Sequence, residues 1–155
     1  MHHSHYFEYM GIKICKTEEI LPLRMLVLRP GRQVEEGKFP GDEDPSTFHL
    51  GLFEGDKLIS IASFYKEDKK GYDGVGYRLR SMATDPVSQG KGYGKKILDF
   101  GINELKNRKA DYLWCNARTK ATSFYRNFGF SIISEEFEIP TIGPHFEMML
   151  KLDQD

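Results

Sequence analysis

Six residues, Gln89-Gly90-Lys91-Gly92-Tyr93-Gly94, constrain this chain more than any other stretch. A strand-like run, Val75 to Thr84, closes on Asp85-Pro86 just before them, and from Gly92 the hydrophobic pattern changes period. Gly94, Ile97, Leu98, Gly101, Ile102 and Leu105 share one stripe, while Lys95, Lys96, Asp99, Asn103 and Lys106 point elsewhere, as an amphipathic helix requires. A strand that turns through glycines into a helix suits an anion. The first backbone N–H groups of a helix have no intrahelical acceptor, the helix dipole favours negative charge there, and glycine removes the side chains that would hold a phosphate away. Lys91, Lys95 and Lys96 add positive charge around the turn, or in part serve as a solvated helix face.

The spacing narrows the anion. A dinucleotide loop has the pattern G-x-G-x-x-G, whereas the third glycine here comes one residue early, at Gly94. A nucleotide P-loop has Gly-Lys followed by Ser or Thr, but Gly94-Lys95 is followed by Lys96, so the Mg²⁺-binding hydroxyl is missing from its place.

The rest of the chain reads as one domain over residues 11–155, with the order β-α-β-β-β-α-β-α-β-β. Gly11 to Cys15 reads as a strand, Thr17 as the N-cap of a helix opening on Glu18 and Glu19, and Arg29-Pro30-Gly31 as its stop. Pro30 to Pro45 reads as a long loop, Phe48 to Phe64 as a hairpin turning at Glu54-Gly55-Asp56, and Lys66 to Gly74 as a charged loop. Tyr112 to Ala117 is a short apolar strand. Thr119 caps a helix with Ala121, Phe124, Tyr125 and Phe128 inside and Gly129 closing it, and Phe130 to Phe137 and Phe146 to Leu152 are further strands.

Charge and cysteine content remove several function classes. The formal net charge of -1 in 155 residues favours neither nucleic acid nor an anionic membrane as partner. No apolar run reaches the roughly 18 residues of a membrane span and the first ten residues lack a signal-peptide core, so a cytoplasmic address is expected. Cys15 and Cys115 lie far apart in strand-like stretches and read as buried thiols, not a disulfide or metal pair. The terminal Met1-His2-His3-Ser4-His5 is joined to no other ligand cluster, so residues 1–10 are read as an unstructured end or an expression remnant and no metal is expected.

Gln89-x-x-Gly92-x-Gly94 resembles the Q/R-x-x-G-x-G/A signature of the GNAT superfamily of acyl-CoA N-acyltransferases. Met82-Ala83-Thr84-Asp85-Pro86 looks like that family's fourth strand and proline turn, and Asn116-Ala117 with Phe124-Tyr125-Arg126-Asn127-Phe128-Gly129-Phe130 like its fifth strand and the helix after it. Ile142-Gly143-Pro144-His145 also looks like a subset of bacterial members. The resemblance is close over Met82 to Phe130. It implies an α/β (α+β) fold with a mixed, mostly antiparallel sheet of six to seven strands, splayed between the fourth and fifth and flanked by helices on both faces.

The same resemblance implies acetyl-CoA as co-substrate and direct transfer of its acetyl group to a primary amine of a small molecule or peptide, through a ternary complex. A non-catalytic acyl-CoA-binding module is the alternative. Gln89, Gly90, Lys91, Gly92, Tyr93, Gly94 and Lys95 would hold the pyrophosphate, and Met82 and Thr84 would pair with the pantetheine through their main chain. Asn116 would touch the pantetheine or a water, or simply cap the next helix. Tyr125 would protonate the leaving thiolate, although its place on an apolar stripe also suits plain core packing. His145 is a candidate base because imidazole titrates near neutrality, with Glu147, Asp85 and Glu35 behind it; a lone loop histidine is also often structural. Arg78 and Arg80, on one face of the fourth strand with Met82, are candidates to grip a substrate carboxylate. A free edge at the last strands permits a homodimer without requiring one.

Overall fold

The structure is a computed structural model describing residues 10–152. The elements are β1 (Met10–Cys15), α1 (Thr17–Leu28), β2 (Phe48–Glu54), β3 (Lys57–Lys66), β4 (Gly76–Thr84), α2 (Tyr93–Asn107), β5 (Tyr112–Arg118), α3 (Thr122–Arg126), β6 (Ser131–Ile132), β7 (Phe137–Ile139) and β8 (Gly143–Lys151). Short 3-10 turns lie at Val34–Gly37, Pro86–Ser88 and Thr119–Ala121. The strands form a mixed sheet in the order β1-β2-β3-β4-β5-β8-β6, with β7 also on β8. The histidine tract lies outside the described residues, and Met10 opens β1.

Two compact units share the described chain: residues 10–65 with Leu79–Glu104, and Lys66–Arg78 with residues 105–152. In the first, β1 and β2 are antiparallel from Met10↔Glu54 to Cys15↔His49, and β2 and β3 from Phe48↔Phe64 to Glu54↔Lys57, with a bulge at Leu52/Phe53. Alternation puts Ile61 and Phe64 on opposite faces of β3. Ile61 joins Ile20 and Leu23 of α1, Cys15 and Ala83, whereas Phe64 stacks on Phe48 at 4.7 Å and lies against Gly101 of α2. Helices therefore cover both faces of this part of the sheet. Pro30 sits just past the Arg29 C-cap and Gly31 has φ 77°, which ends α1 where the sequence indicates.

In the second unit, β4 and β5 run parallel and pair at Gly76↔Tyr112, Tyr77↔Leu113 and Arg78↔Trp114, so the ladder engages only the first three residues of each strand. β8 is antiparallel to β5 from Tyr112↔Lys151 to Arg118↔His145. The run Phe130 to Phe137, expected as one strand, is instead β6 and β7, both on β8. Between Ile132↔Met148 and Phe137↔His145, four residues face two, and the Ser134 hydroxyl takes the Glu147 N–H at 2.8 Å in place of a backbone carbonyl.

Two expected helix starts differ. Lys16 is the N-cap of α1, its N–H donating to Glu19 Oε1 at 2.7 Å, and Thr17 is the first helical residue. Thr119 opens a 3-10 turn, and its hydroxyl donates to Glu136 at 2.8 Å, so α3 starts only at Thr122. The Thr17 hydroxyl donates to the Asp42 carbonyl at 3.3 Å, so both hydroxyls have tertiary partners that a local pattern does not show.

Candidate active site

The glycine turn is built within the first unit. Asp85 caps the Pro86–Ser88 turn by accepting the Val87 N–H at 3.1 Å, and its own N–H donates to Ile59 at 2.8 Å, which fixes where β4 ends. Gly90 and Gly92 have φ of 81° and 83°, the left-handed region that side chains oppose, and no atom lies within 4 Å of where either Cβ would stand. The turn is thus open. Lys96 N–H donates to Gly92 at 3.2 Å as the first helical bond, which leaves the N–H groups of Tyr93, Gly94 and Lys95 without an intrahelical acceptor. Lys91 and Lys95 stand exposed beside them, and the Lys96 ammonium lies 5.9 Å from the Tyr93 ring. The Gln89 side chain donates from Nε2 to the Thr84 carbonyl at 3.0 Å.

Upstream on β4, Ser81 has φ 60° and a buried hydroxyl without a partner among the described residues. The residue interrupts regular alternation just before Met82, and no local sequence signal marks it. Thr84 shares a hydrogen bond of 2.9 Å with Ser60, whose hydroxyl also lies 3.2 Å from the Ala83 carbonyl.

In the second unit, Asn116 on β5 has a buried Oδ1 with no partner among the described residues. Tyr125 is half-buried on α3, edge-on to Phe124 at 5.1 Å and to Phe130 at 5.3 Å. Burial, and next the Cys115 thiol, push its phenol well above the ordinary range. Burial also lifts Cys115, to about 12, so thiol and phenol both keep their protons across the neutral range.

His145 is buried, donates from Nδ1 to the Gly143 carbonyl at 2.7 Å and stacks on Phe137 at 6.0 Å, opposite Arg118 of β5. That bond pins the turn into β8 and sets the tautomer, leaving Nε2 as the ring nitrogen that carries the lone pair. Glu147 is engaged by Lys69 at 2.9 Å. Arg78 lies 4.8 Å from the Trp114 ring and 3.4 Å from Glu67, whereas Arg80 lies 4.5 Å from Phe39 and 5.9 Å from Tyr65; the face they share in sequence leads to different surroundings.

A buried polar network braces the first unit. Arg24 of α1 is fully buried and grips Asp42 with both terminal nitrogens, at 2.8 and 3.1 Å, while donating to Gly37, Ser63 and Tyr65. Tyr65 donates to Asp42, and His49 lies 2.7 Å from Ser63 and 3.0 Å from the Asp42 carbonyl. Burial by itself would raise Asp42; the donors from Arg24, the Phe39 N–H and Tyr65 outweigh it, and the carboxyl sits below its usual range. The network fixes the segment between α1 and β2.

Comparison with known proteins agrees with this architecture. A model of the acetyltransferase (GNAT) domain matches residues 31–152. The chain is 33% identical over 140 residues to the uncharacterized N-acetyltransferase YitI of Bacillus subtilis, covering 90% of this chain and 94% of that protein. YjcF of the same organism, another uncharacterized N-acetyltransferase, is 24% identical over 90% of this chain and 99% of its own. The ribosomal-protein-S18-alanine N-acetyltransferase of Escherichia coli superposes with a TM-score of 0.74 at 18% identity, covering 94% and 96% of the two chains. Among the described residues no helix is long and apolar enough to cross a membrane. With the family model spanning most of its length, this chain belongs to the GNAT family of acetyltransferases and is an acyl-CoA-dependent acyltransferase.

Proposed function

We propose that the protein is an N-acetyltransferase that moves an acetyl group from acetyl-CoA directly to a primary amine. The observation that carries this reading is the open turn at Gly90 and Gly92, which aims first-turn N–H groups of α2 outward with no side chain in the way. The main-chain N–H groups from Gly90 to Lys95 hold the pyrophosphate, with Lys91 and Lys95 adding charge, and Gln89 shapes the turn through Thr84. Acetyl-CoA, when bound, supplies the activated thioester carbonyl.

The buried unpartnered atoms fit such a ligand, because a polar atom without a partner costs about 1–3 kcal/mol and a pantetheine amide offers both donor and acceptor. Ser81 and Met82 on β4 and Asn116 on β5 are the residues we assign to it. A main-chain donor near Thr84 offsets charge developing on the thioester oxygen, worth roughly 3 kcal/mol in other acyl transfers. As the C–N bond forms and the C–S bond breaks, Tyr125 gives its proton to the departing sulfur. The proton released by the amine passes to water, from which Tyr125 is reprotonated.

Two features support Tyr125 in this role. Its phenol stays protonated, and its hydroxyl has no hydrogen-bond partner among the described residues, so the proton is not committed elsewhere. Calorimetric titration with acetyl-CoA, against CoA, ATP and NAD, tests the proposal, together with thiol release in the presence of an amine library. Binding that Gly92→Trp abolishes, with amine-dependent thiol release, is expected. Binding without any thiol release would replace the enzyme with an acyl-CoA-binding module, and tighter binding of a nucleotide would sink both.

A further inference from the structure

Resting on the acyl-transfer reading, we infer that the acceptor amine carries a carboxylate, recognised by a corner that Arg29 and Arg80 build around Phe39. Three guanidinium groups surround that one ring: Arg24 at 4.5 Å, Arg29 at 5.5 Å and Arg80 at 4.5 Å. Arg24 is spent on Asp42. Two further acids of the segment pair with other cations, Glu36 with Arg32 at 3.1 Å and Glu35 with Lys38 at 3.6 Å. Arg80 has a further interaction of its own, so the corner is defined by how its charges are gathered.

Unmet hydrogen-bonding capacity is a second and independent sign. Arg24 Nε and Arg29 Nε are both buried and have no acceptor among the described residues. Two buried donors of charged groups facing one aromatic ring form an arrangement that an acceptor-only, planar anion relieves, and a carboxylate meets a guanidinium edge with two parallel bonds. The neighbouring cavity of about 460 Å³, which Phe39 also walls, sets Asp42, Glu43 and Asp44 against the single cation Lys38, an acidic balance that does not suit an anion. The carboxylate therefore belongs with the arginines.

Placement on β4 links the corner to the chemistry. At a strand rise of about 3.3 Å per residue, which the left-handed Ser81 can only shorten, Arg80 lies at most roughly 7 Å along the strand from Met82 and at most roughly 13 Å from Thr84. With the length of the Arg80 side chain taken up at one end, a small acceptor with a few bonds between amine and carboxylate covers the rest of that interval.

The test compares N-acetylglycine, a product-like acid, with its neutral amide N-acetylglycinamide, by ligand-observed NMR titration of the full chain. The acid is expected to bind at least tenfold tighter than the amide, and R29M and R80M should each remove most of that difference. R80K, which keeps the charge but not the fork, should lose part of it. Circular dichroism melts establish that the variants are folded; Arg24 is not used, because its loss endangers the fold. Equal affinity for acid and amide, no detectable acid binding, or an acid preference that survives in both R29M and R80M overturns the inference. Because this readout needs no turnover, acid-selective binding in a protein that fails to bind acetyl-CoA would refute the acyltransferase reading alone.

Discussion

The side-chain amide of Gln89 donates to the carbonyl of Thr84 across 3.0 Å, tying the last residue of β4 to the start of the glycine turn. The signature glutamine thereby braces the turn proposed to hold the anion. Gln89→Ala is expected to weaken acetyl-CoA binding by about three- to tenfold, the range of one hydrogen bond of about 1 kcal/mol, with little loss of stability because the group is exposed. Calorimetry on the variant decides it; unchanged affinity would show that the turn holds its shape unaided.

At Gly92 nothing stands within 4 Å of a new Cβ, so Gly92→Ala acts through its φ of 83° and through the anion's path. A destabilisation of about 1–2 kcal/mol and a loss of at least tenfold in acetyl-CoA affinity are expected. Denaturant melts and titration separate the two effects.

Tyr125→Phe removes a hydroxyl that bonds to no described residue and keeps both ring contacts. Stability and acetyl-CoA affinity should therefore stay near those of the parent, while kcat falls by about 100-fold or more, the usual contribution of a positioned acid. An unchanged kcat would return Tyr125 to the core.

Breaking the Arg24–Asp42 pair leaves a buried charge without its partner, so Asp42→Ala should cost about 3–5 kcal/mol. Urea unfolding reads this directly, and a cost under 1 kcal/mol would mean that water reaches Arg24.

Acid should destabilise the protein in two stages. Burial lowers the His49 pKa below its ordinary 6.5, outweighing the pull of Asp42, so the folded state favours the neutral ring. The unfolded chain then binds the proton first, and stability present above 6.5 is lost as pH falls from there through the folded pKa. Asp42, held below its ordinary 3.8, adds a second loss at lower pH, as pH falls from that value through the folded pKa. Melting temperature should drop between pH 7 and 5, at roughly 2–5 °C per kcal/mol, and His49→Gln should flatten that slope. A parent protein whose melting point holds steady over this range would contradict it.

The sequence by itself determined the features that live within a few residues of each other. Glycines at alternate positions after Asp85-Pro86, a 3.6-residue stripe from Gly94 to Leu105 and the Arg29-Pro30-Gly31 stop are local statements about backbone freedom and helical period, and the turn, α2 and the end of α1 follow them. Gly101 even falls on the stripe, although only the fold shows that Phe64 occupies the space its Cβ would need. Tertiary structure decided what depends on partners from distant segments. Arg24 meets Asp42, Ser63 and Tyr65 from 18 to 41 residues away, Thr17 leaves capping for the His49 cluster, and His145 spends a ring nitrogen on Gly143 as it packs on Phe137. Ser81 adopts a left-handed φ that no serine prefers by itself. A hydrogen bond between such residues is chosen by what else is buried beside them, and burial is a property of the assembled chain.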